Sequence, residues 1–295
     1  MRKRLVSIAF ALVAVSVPAL AKGGPTGPTA MITFLQGAAT LERSGEQPAE
    51  AAIFSRLTEG DALQLPAGAR AVVVFIDGNR CELTGPCRVV ALKSGFSGDK
   101  AQVKPLAPVA VRAAVAPIAT EAGRHHAATR IRGARVEEFA IQDLRPAGGD
   151  CIPADNAILS FRPVTGVEKY RVEIEDEMGQ TILDTEVHSA EVQVSPGILQ
   201  PGGSYFWKVR TLGQMVPPKR GDAVFITLDA DKAAGRTALK KMAEAAMDPS
   251  LWLLLAEFDV SAGMAREACR SIAVALSLAP GNPSVQAVAD KAGCK

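Results

Sequence analysis

Five cysteines and three histidines are the residues of this 295-residue sequence best suited to metal or redox chemistry. No two of them have the spacing of a zinc-binding motif, so disulfides are the favoured interpretation. Cys81 and Cys87 lie on either side of a Gly-Pro turn and predict a short bridged loop. Cys269 and Cys294 predict a bond between two helices. Cys151 is left over: it is a free thiol, it pairs between chains, or one of the two predicted pairs is wrong.

Sequence motifs for catalysis are absent. The chain contains no Gly-x-Ser-x-Gly, no His-Glu-x-x-His and no phosphate-binding glycine loop. His188 precedes Ser189, but a Ser–His pair without an orienting carboxylate is weak evidence for nucleophilic catalysis. The acidic cluster at residues 173–177 is either a solvated surface, which we favour, or a calcium site. We therefore predict a protein that is not an enzyme and holds no cofactor.

The N-terminus has the pattern of a secretory signal peptide. Three basic residues at positions 2–4 precede an apolar run at residues 5–17, and small residues at Ala19 and Ala21 predict cleavage after Ala21. The apolar run is shorter than the about 20 residues of a membrane-spanning helix, which favours cleavage over an uncleaved anchor. We therefore predict residues 1–21 to be a signal peptide, with a periplasmic, Gram-negative location and no membrane span after cleavage. An oxidising compartment fits the disulfide interpretation.

The charge balance bears on the class of partner. The chain has 33 basic and 31 acidic residues, and the signal peptide contains three of the basic ones. The mature chain therefore carries a formal charge near −1, which argues against nucleic acid as a partner. The composition is that of a globular protein, and the length suits two or three small domains.

Residues 30–96 are predicted to form an all-β module. A β-branched run at residues 69–76 indicates a buried strand, and Asp77-Gly78-Asn79 is a strong hairpin turn. Together with Gly60-Asp61 and Cys81-Glu-Leu-Thr, this order resembles the FecR-type β domain. The resemblance implies an extracytoplasmic β module. It does not extend to sigma-factor signalling, because the cytoplasmic portion and mid-chain membrane helix of the family's regulators have no counterpart here.

Residues 97–150 are predicted to be a linker rich in Ala, Pro and Arg, or to add accessory strands to the first module. Within it, the segment 123–135 carries His125, His126 and several arginines. Three interpretations of this segment are open: a basic binding loop, a histidine metal site, and a solvated linker. We favour the linker, since adjacent histidines on an extended chain point to opposite faces.

Residues 152–228 contain six short alternating segments separated by turn signals, which predict a β-sandwich. The segments 159–163, 167–174 and 199–209 resemble a fibronectin type III domain. The resemblance implies that Tyr205 is the corner tyrosine, with its hydroxyl bonded to nearby backbone. Strand alternation places Trp207 on the same face, where core packing is favoured over an exposed binding aromatic.

Residues 231–295 are predicted to be helical. The spacing of seven residues resembles one tetratricopeptide repeat: Trp252, Leu255, Ala256, Ala268, Ile272, Ala275 and Pro280. The resemblance implies that Trp252 and Leu255 wedge between helices, that the alanines allow close approach, and that Pro280 ends the unit. Asp259 replaces the family's tyrosine, and an ordinary four-helix tail is the alternative.

These predictions combine into a multidomain protein with an all-β N-terminal module, a β-sandwich and a small all-α helical-repeat region. We predict a noncatalytic binding or scaffold role in which the partner is another envelope protein. The first alternative is a protein that binds peptidoglycan or another wall glycan. The second is an enzyme whose site assembles from scattered residues.

Overall fold

The computed structural model describes residues 27–109, 140–155, 157–213 and 218–294. The predicted signal peptide, His125, His126 and the arginine-rich segment lie outside these residues. Within them the chain is mostly β-sheet, followed by four C-terminal helices. No helix in this part of the chain is long and apolar enough to cross a membrane.

Two five-stranded sheets form the first module. Their orders are β10-β7-β6-β1-β4 and β3-β2-β5-β8-β9, with antiparallel pairing throughout. The strands are β1 (Ala30–Gln36), β2 (Thr40–Glu42), β3 (Ala49–Glu50), β4 (Arg56–Leu57), β5 (Ala62–Leu65), β6 (Arg70–Phe75), β7 (Arg80–Thr84), β8 (Cys87–Ala91), β9 (Phe96–Gly98) and β10 (Val103–Leu106).

The predicted Cys81–Cys87 bridge is wrong. Cys81 on β7 pairs with Val73 in the first sheet, whereas Cys87 on β8 pairs with Leu65 in the second sheet. Both cysteines are free thiols. The Gly-Pro turn between them passes the chain from one sheet to the other, so it separates the two side chains rather than closing a loop.

The segment between the β modules is shorter than the predicted linker. Strands β9 and β10 continue the first module, and Val109 N donates to Gly78 O at 2.8 Å. The second module includes Ala140, which bridges to Arg220. The predicted boundaries at residues 97 and 150 therefore cut into both modules.

The second module is a β-sandwich. A five-stranded sheet of order β11-β17-β16-β13-β14 shares one core with the pair β12-β15. The strands are β11 (Asp150–Ile152), β12 (Ile158–Ser160), β13 (Lys169–Asp176), β14 (Thr181–Val187), β15 (Glu191–Gln193), β16 (Ser204–Leu212) and β17 (Arg220–Thr227).

Four helices complete the chain: α1 (Ala230–Ala246), α2 (Pro249–Ser261), α3 (Ala265–Leu278) and α4 (Pro283–Ala292). Asp229, Asp248 and Asn282 cap the N-termini of α1, α2 and α4 with side-chain oxygens, as short polar side chains do at this position. The predicted disulfide joins Cys269 on α3 to Cys294 beyond α4, with a Cα–Cα distance of 5.3 Å.

Helix α2 packs on the first sheet of the β module, although more than 150 residues separate them in sequence. Strands β1 and β6 are almost continuously buried, which requires a cover on both faces because alternate residues point to opposite sides. Leu251 and Leu254 of α2 belong to the same apolar cluster as Ile32 and Val73. The first module and the helices therefore share a core, and the sandwich is inserted between them in sequence.

A candidate partner-binding groove

A groove of about 1000 Å³ runs between the β module and the helices. One wall is the connection from β3 to β4 with the end of β1, and the other is formed by α2 and α4 with Ile272 of α3. Its lining residues are Leu35, Gly37, Ala38, Glu50, Ala51, Ala52, Ile53, Phe54, Arg56, Ala256, Glu257, Val260, Ile272, Pro283, Ser284, Ala287, Val288, Lys291 and Ala292. The volume lies at the upper end of the range typical of ligand sites.

Small side chains keep this groove open. Alanines occupy both walls, and Ala52 and Ala287 are exposed there. Val260, on α2, is 52% exposed although it is large and apolar. An exposed apolar surface lined by small residues leaves room for a ligand side chain or backbone to approach closely.

The connection from β3 to β4 is held in an unusual backbone conformation. Phe54 has a φ of 71°, a left-handed value that is uncommon for a bulky residue. Its backbone N donates to Ile32 O at 2.7 Å, and Ile32 N donates to Ser55 O at 3.0 Å. These bonds tie the strained residue to β1. Local strain of this kind concentrates at binding and catalytic sites.

Glu257 and Arg56 are the two half-buried charged residues of the groove. The Glu257 carboxyl lies on α2, and burial raises its pKa, while the nearby Arg56 and Lys291 act to lower it. In the part of the chain that the structure describes, no basic nitrogen lies within 4.0 Å of a Glu257 oxygen. The groove thus contains a carboxyl group that lacks a direct ion pair in apolar surroundings, where a hydrogen-bond donor from a ligand would stabilise it.

Asn282 fixes the helical wall against the sheet. Its Oδ1 caps α4 by accepting from Ser284 N at 2.9 Å, and its Nδ2 donates to Leu35 O at 3.0 Å. One buried side chain therefore both starts the helix and attaches it to β1. The Asn282-Pro283 sequence indicates the start of the helix, whereas nothing in the sequence indicates the bond to Leu35.

The residues of the tetratricopeptide-like pattern lie where helices meet. Trp252, Leu255, Ala256, Ala268, Ile272 and Ala275 are buried, whereas Pro280 is exposed in the turn after α3. Ala256 and Ile272 also reach the groove. The indole N–H of Trp252 has no hydrogen-bond partner among the described residues. The pattern thus identifies packing positions, two of which also border the candidate site.

Asp259, the departure from the repeat pattern, forms a buried ion pair. Arg236 on α1 donates to both of its oxygens, at 2.6 and 3.0 Å, and the side chain of Asp259 has no exposed surface. Burial raises the pKa of Asp259 to about 6, and Arg236 opposes this shift. Arg236 also lies 3.7 Å from Glu267 of α3. Arg236 thus connects α1 to both α2 and α3, and the repeat pattern did not indicate these contacts.

Tyr205 and Trp207 are core residues of the sandwich. The Tyr205 hydroxyl accepts from Gln200 N at 2.7 Å, which is the backbone bond expected of a corner tyrosine. Trp207 is completely buried, and its Nε1 donates to Pro146 O at 2.9 Å. Neither aromatic ring is available to bind a ligand at the surface.

Cys151 is a free, buried thiol on β11. It borders a cavity of about 150 Å³ between the sandwich and the helices, together with Gly263 and Met264. Burial raises the pKa of Cys151 to about 11. The thiol is therefore protonated near neutral pH and is a poor nucleophile or metal ligand there.

The acidic cluster at residues 173–177 is engaged within the sandwich. Glu173 lies 3.1 Å from Arg171, Glu175 accepts from Lys208 at 2.6 Å, and Asp176 caps the following turn. These contacts favour a solvated surface over a calcium site. Among the described residues, no group of three or more His, Cys, Asp or Glu side chains is placed to hold a metal ion.

No protein-family model and no curated protein matches the sequence. Among solved structures, CopC from Methylosinus trichosporium OB3b is similar to this chain at 20% identity, covering 31% of this chain and 94% of CopC, with a TM-score of 0.24. The FN1-FN3 domains of chicken CNTN1 are similar at 14% identity, covering 70% of this chain and 68% of that one, with a TM-score of 0.24. Similarities at this level support no functional conclusion, and the FecR-type and tetratricopeptide resemblances stay predictions.

Proposed function

We propose that this chain is a noncatalytic periplasmic binding protein whose groove holds an apolar segment of another envelope protein. The groove itself is the observation that carries the proposal. It combines exposed apolar surface, small lining residues and a half-buried carboxyl group without a direct ion pair. These are features of a site that excludes water from a partner.

Rigidity supports a binding role for this groove. Both walls belong to one unit, because α2 shares a core with β1 and Asn282 bonds α4 to Leu35. A groove with fixed walls loses little conformational entropy when a partner enters. The N-terminal signal pattern and the disulfide support the periplasmic location.

Site-specific photocrosslinking in intact cells tests the proposal. A photoreactive amino acid is placed at Val260 or Ala287 in the groove, and at Leu92 as a matched control. Leu92 is 43% exposed on the same β module but does not line the groove. We expect both groove positions to yield an adduct with the same envelope protein and Leu92 to yield none.

A substitution in the groove tests whether the adduct forms through this surface. Val260→Glu introduces a charge on the apolar rim, and we expect it to abolish the adduct formed from position 287. Adducts that are identical from all three positions, or that contain only wall glycan, would contradict the proposal.

A further inference from the structure

Strand β14 forms an open edge of the sandwich. It lies outermost in the order β11-β17-β16-β13-β14 and pairs on one side with β13. A strand in this position presents a row of backbone N–H and C=O groups that the sheet does not use. Such a row is a template for strand addition from another chain.

Length distinguishes β14 from the other sheet edges in the described residues. It spans seven residues and contains neither proline nor lysine. The edge strands β3 and β4 span two residues each, β9, β11, β12 and β15 span three each, and β10 spans four and includes Pro105. Short strands and prolines protect edges from pairing, so β14 is the edge left accessible.

The two faces of β14 differ in chemistry. Leu183 and Val187 pair with core residues of β13 and pack against the apolar cluster of the sandwich. Because alternate residues point to opposite sides of a sheet, Asp184 and Glu186 lie on the outer face, where both are exposed. An added strand would therefore meet apolar contacts on one face and carboxylates on the other.

The carboxylates of this edge are only partly compensated. Residues 172–191 include no lysine or arginine. Arg171 binds Asp184 through two hydrogen bonds. No basic nitrogen of the described residues lies within 4.0 Å of a Glu186 oxygen.

A second copy of the chain is a poor occupant of this edge. Symmetric antiparallel pairing centred on Asp184 places that residue opposite itself, and pairing centred on Thr185 places Asp184 opposite Glu186. Like charges directly opposite one another destabilise a pair of strands.

We propose that β14 accepts a strand from a partner protein in which apolar residues alternate with lysine or arginine. Backbone hydrogen bonds supply the attachment, and basic side chains opposite Asp184 and Glu186 select the partner. This surface lies on the sandwich and is independent of the groove between the β module and the helices.

The probe is a synthetic peptide of about nine residues, a usual strand length, in which valine alternates with lysine. Two matched peptides replace lysine by glutamate, or carry methyl groups on alternate backbone nitrogens. Binding to the isotopically labelled mature chain is followed by NMR and by amide hydrogen exchange. We expect the lysine peptide to slow exchange along β14, and the two matched peptides to have no effect.

Two variants of the protein separate specific from general electrostatic attraction. Glu186→Lys should weaken binding of the lysine peptide roughly fivefold, because one attractive cross-strand pair becomes repulsive. Glu168→Lys, at an exposed position of the same sandwich, should leave binding unchanged. The inference is overturned if the lysine peptide does not bind, if protection appears away from β14, or if the methylated peptide binds equally well.

Discussion

Arg80 and Asp248, 168 positions apart in the sequence, form a largely buried ion pair between strand β7 and the N-terminus of helix α2. The Arg80 guanidinium donates to Asp248 Oδ2 at 2.5 Å and to Ser250 Oγ at 2.6 Å. Although burial opposes ionisation, the hydrogen bonds from Arg80 and Ser250 hold the pKa of Asp248 below its usual value. The pair thus links the first module to the helices at a point where the Arg80 side chain is 3% exposed and the Asp248 side chain is 27% exposed.

Replacement of Arg80 by alanine should destabilise the protein by about 3 kcal/mol, because Asp248 and Ser250 lose a shared donor in a buried site. Urea denaturation of a chain that begins at Lys22 measures the change. Arg70→Ala is the matched control, since Arg70 also pairs with a carboxylate but is 46% exposed. The control substitution should lower the free energy of unfolding by less than about 1 kcal/mol. Equal losses from the two variants would contradict a special role for the buried pair.

The shared core also predicts which fragments fold. A fragment of residues 140–228 keeps the whole core of the sandwich and should be folded on its own. A fragment of residues 27–109 lacks the helices that cover β1 and β6 and should be partly unfolded or aggregated. Circular dichroism and proton NMR of the two fragments provide the comparison. A well-dispersed NMR spectrum from the fragment of residues 27–109 would show that the helical cover is dispensable.

Local patterns in the sequence predicted much of the fold. Strand alternation and turns indicated the β-sandwich, and Tyr205 has the backbone bond that its position implied. The pair Cys269–Cys294 was predicted because both cysteines lie in the helical C-terminal region. Each of these inferences depends on residues that are near one another in the chain, where periodicity and turn chemistry are informative.

Contacts between distant segments were not predicted. Asn282 and Leu35 are 247 positions apart, and nothing in either segment indicates that one bonds the other. The groove depends on this contact, so its position was not visible in the sequence. The predicted Cys81–Cys87 bridge was wrong for a related reason. The two cysteines are close along the chain, but the successive strands that contain them belong to different sheets.

Asp259 predicts a dependence of stability on pH. Its pKa in the folded state is raised to about 6, from an ordinary value of 3.8, chiefly by burial. Between these values the folded state binds more protons than the unfolded state, so the contribution of this group to stability falls as the pH rises from about 4 to about 6. Denaturation series of the wild type and of Asp259→Asn across this interval test the point. The fall in the free energy of unfolding per pH unit should be smaller in the variant. An unchanged slope would show that other groups cause the dependence on pH.

Two of the free cysteines, Cys81 and Cys151, should differ in reactivity. Burial raises the pKa of Cys151 to about 11, so at pH 8 only about one molecule in a thousand carries the thiolate that an alkylating reagent attacks. Cys81 also has a raised pKa, chiefly through burial, but its side chain is partly exposed. We therefore expect iodoacetamide to modify Cys81 before Cys151 in the native protein, and both at similar rates in denaturant.

Peptide mapping by mass spectrometry resolves the order of modification. Cys269 and Cys294 are internal controls that stay unmodified until a reductant is added. Faster labelling of Cys151 in the native state would mean that the boundary between the sandwich and the helices opens.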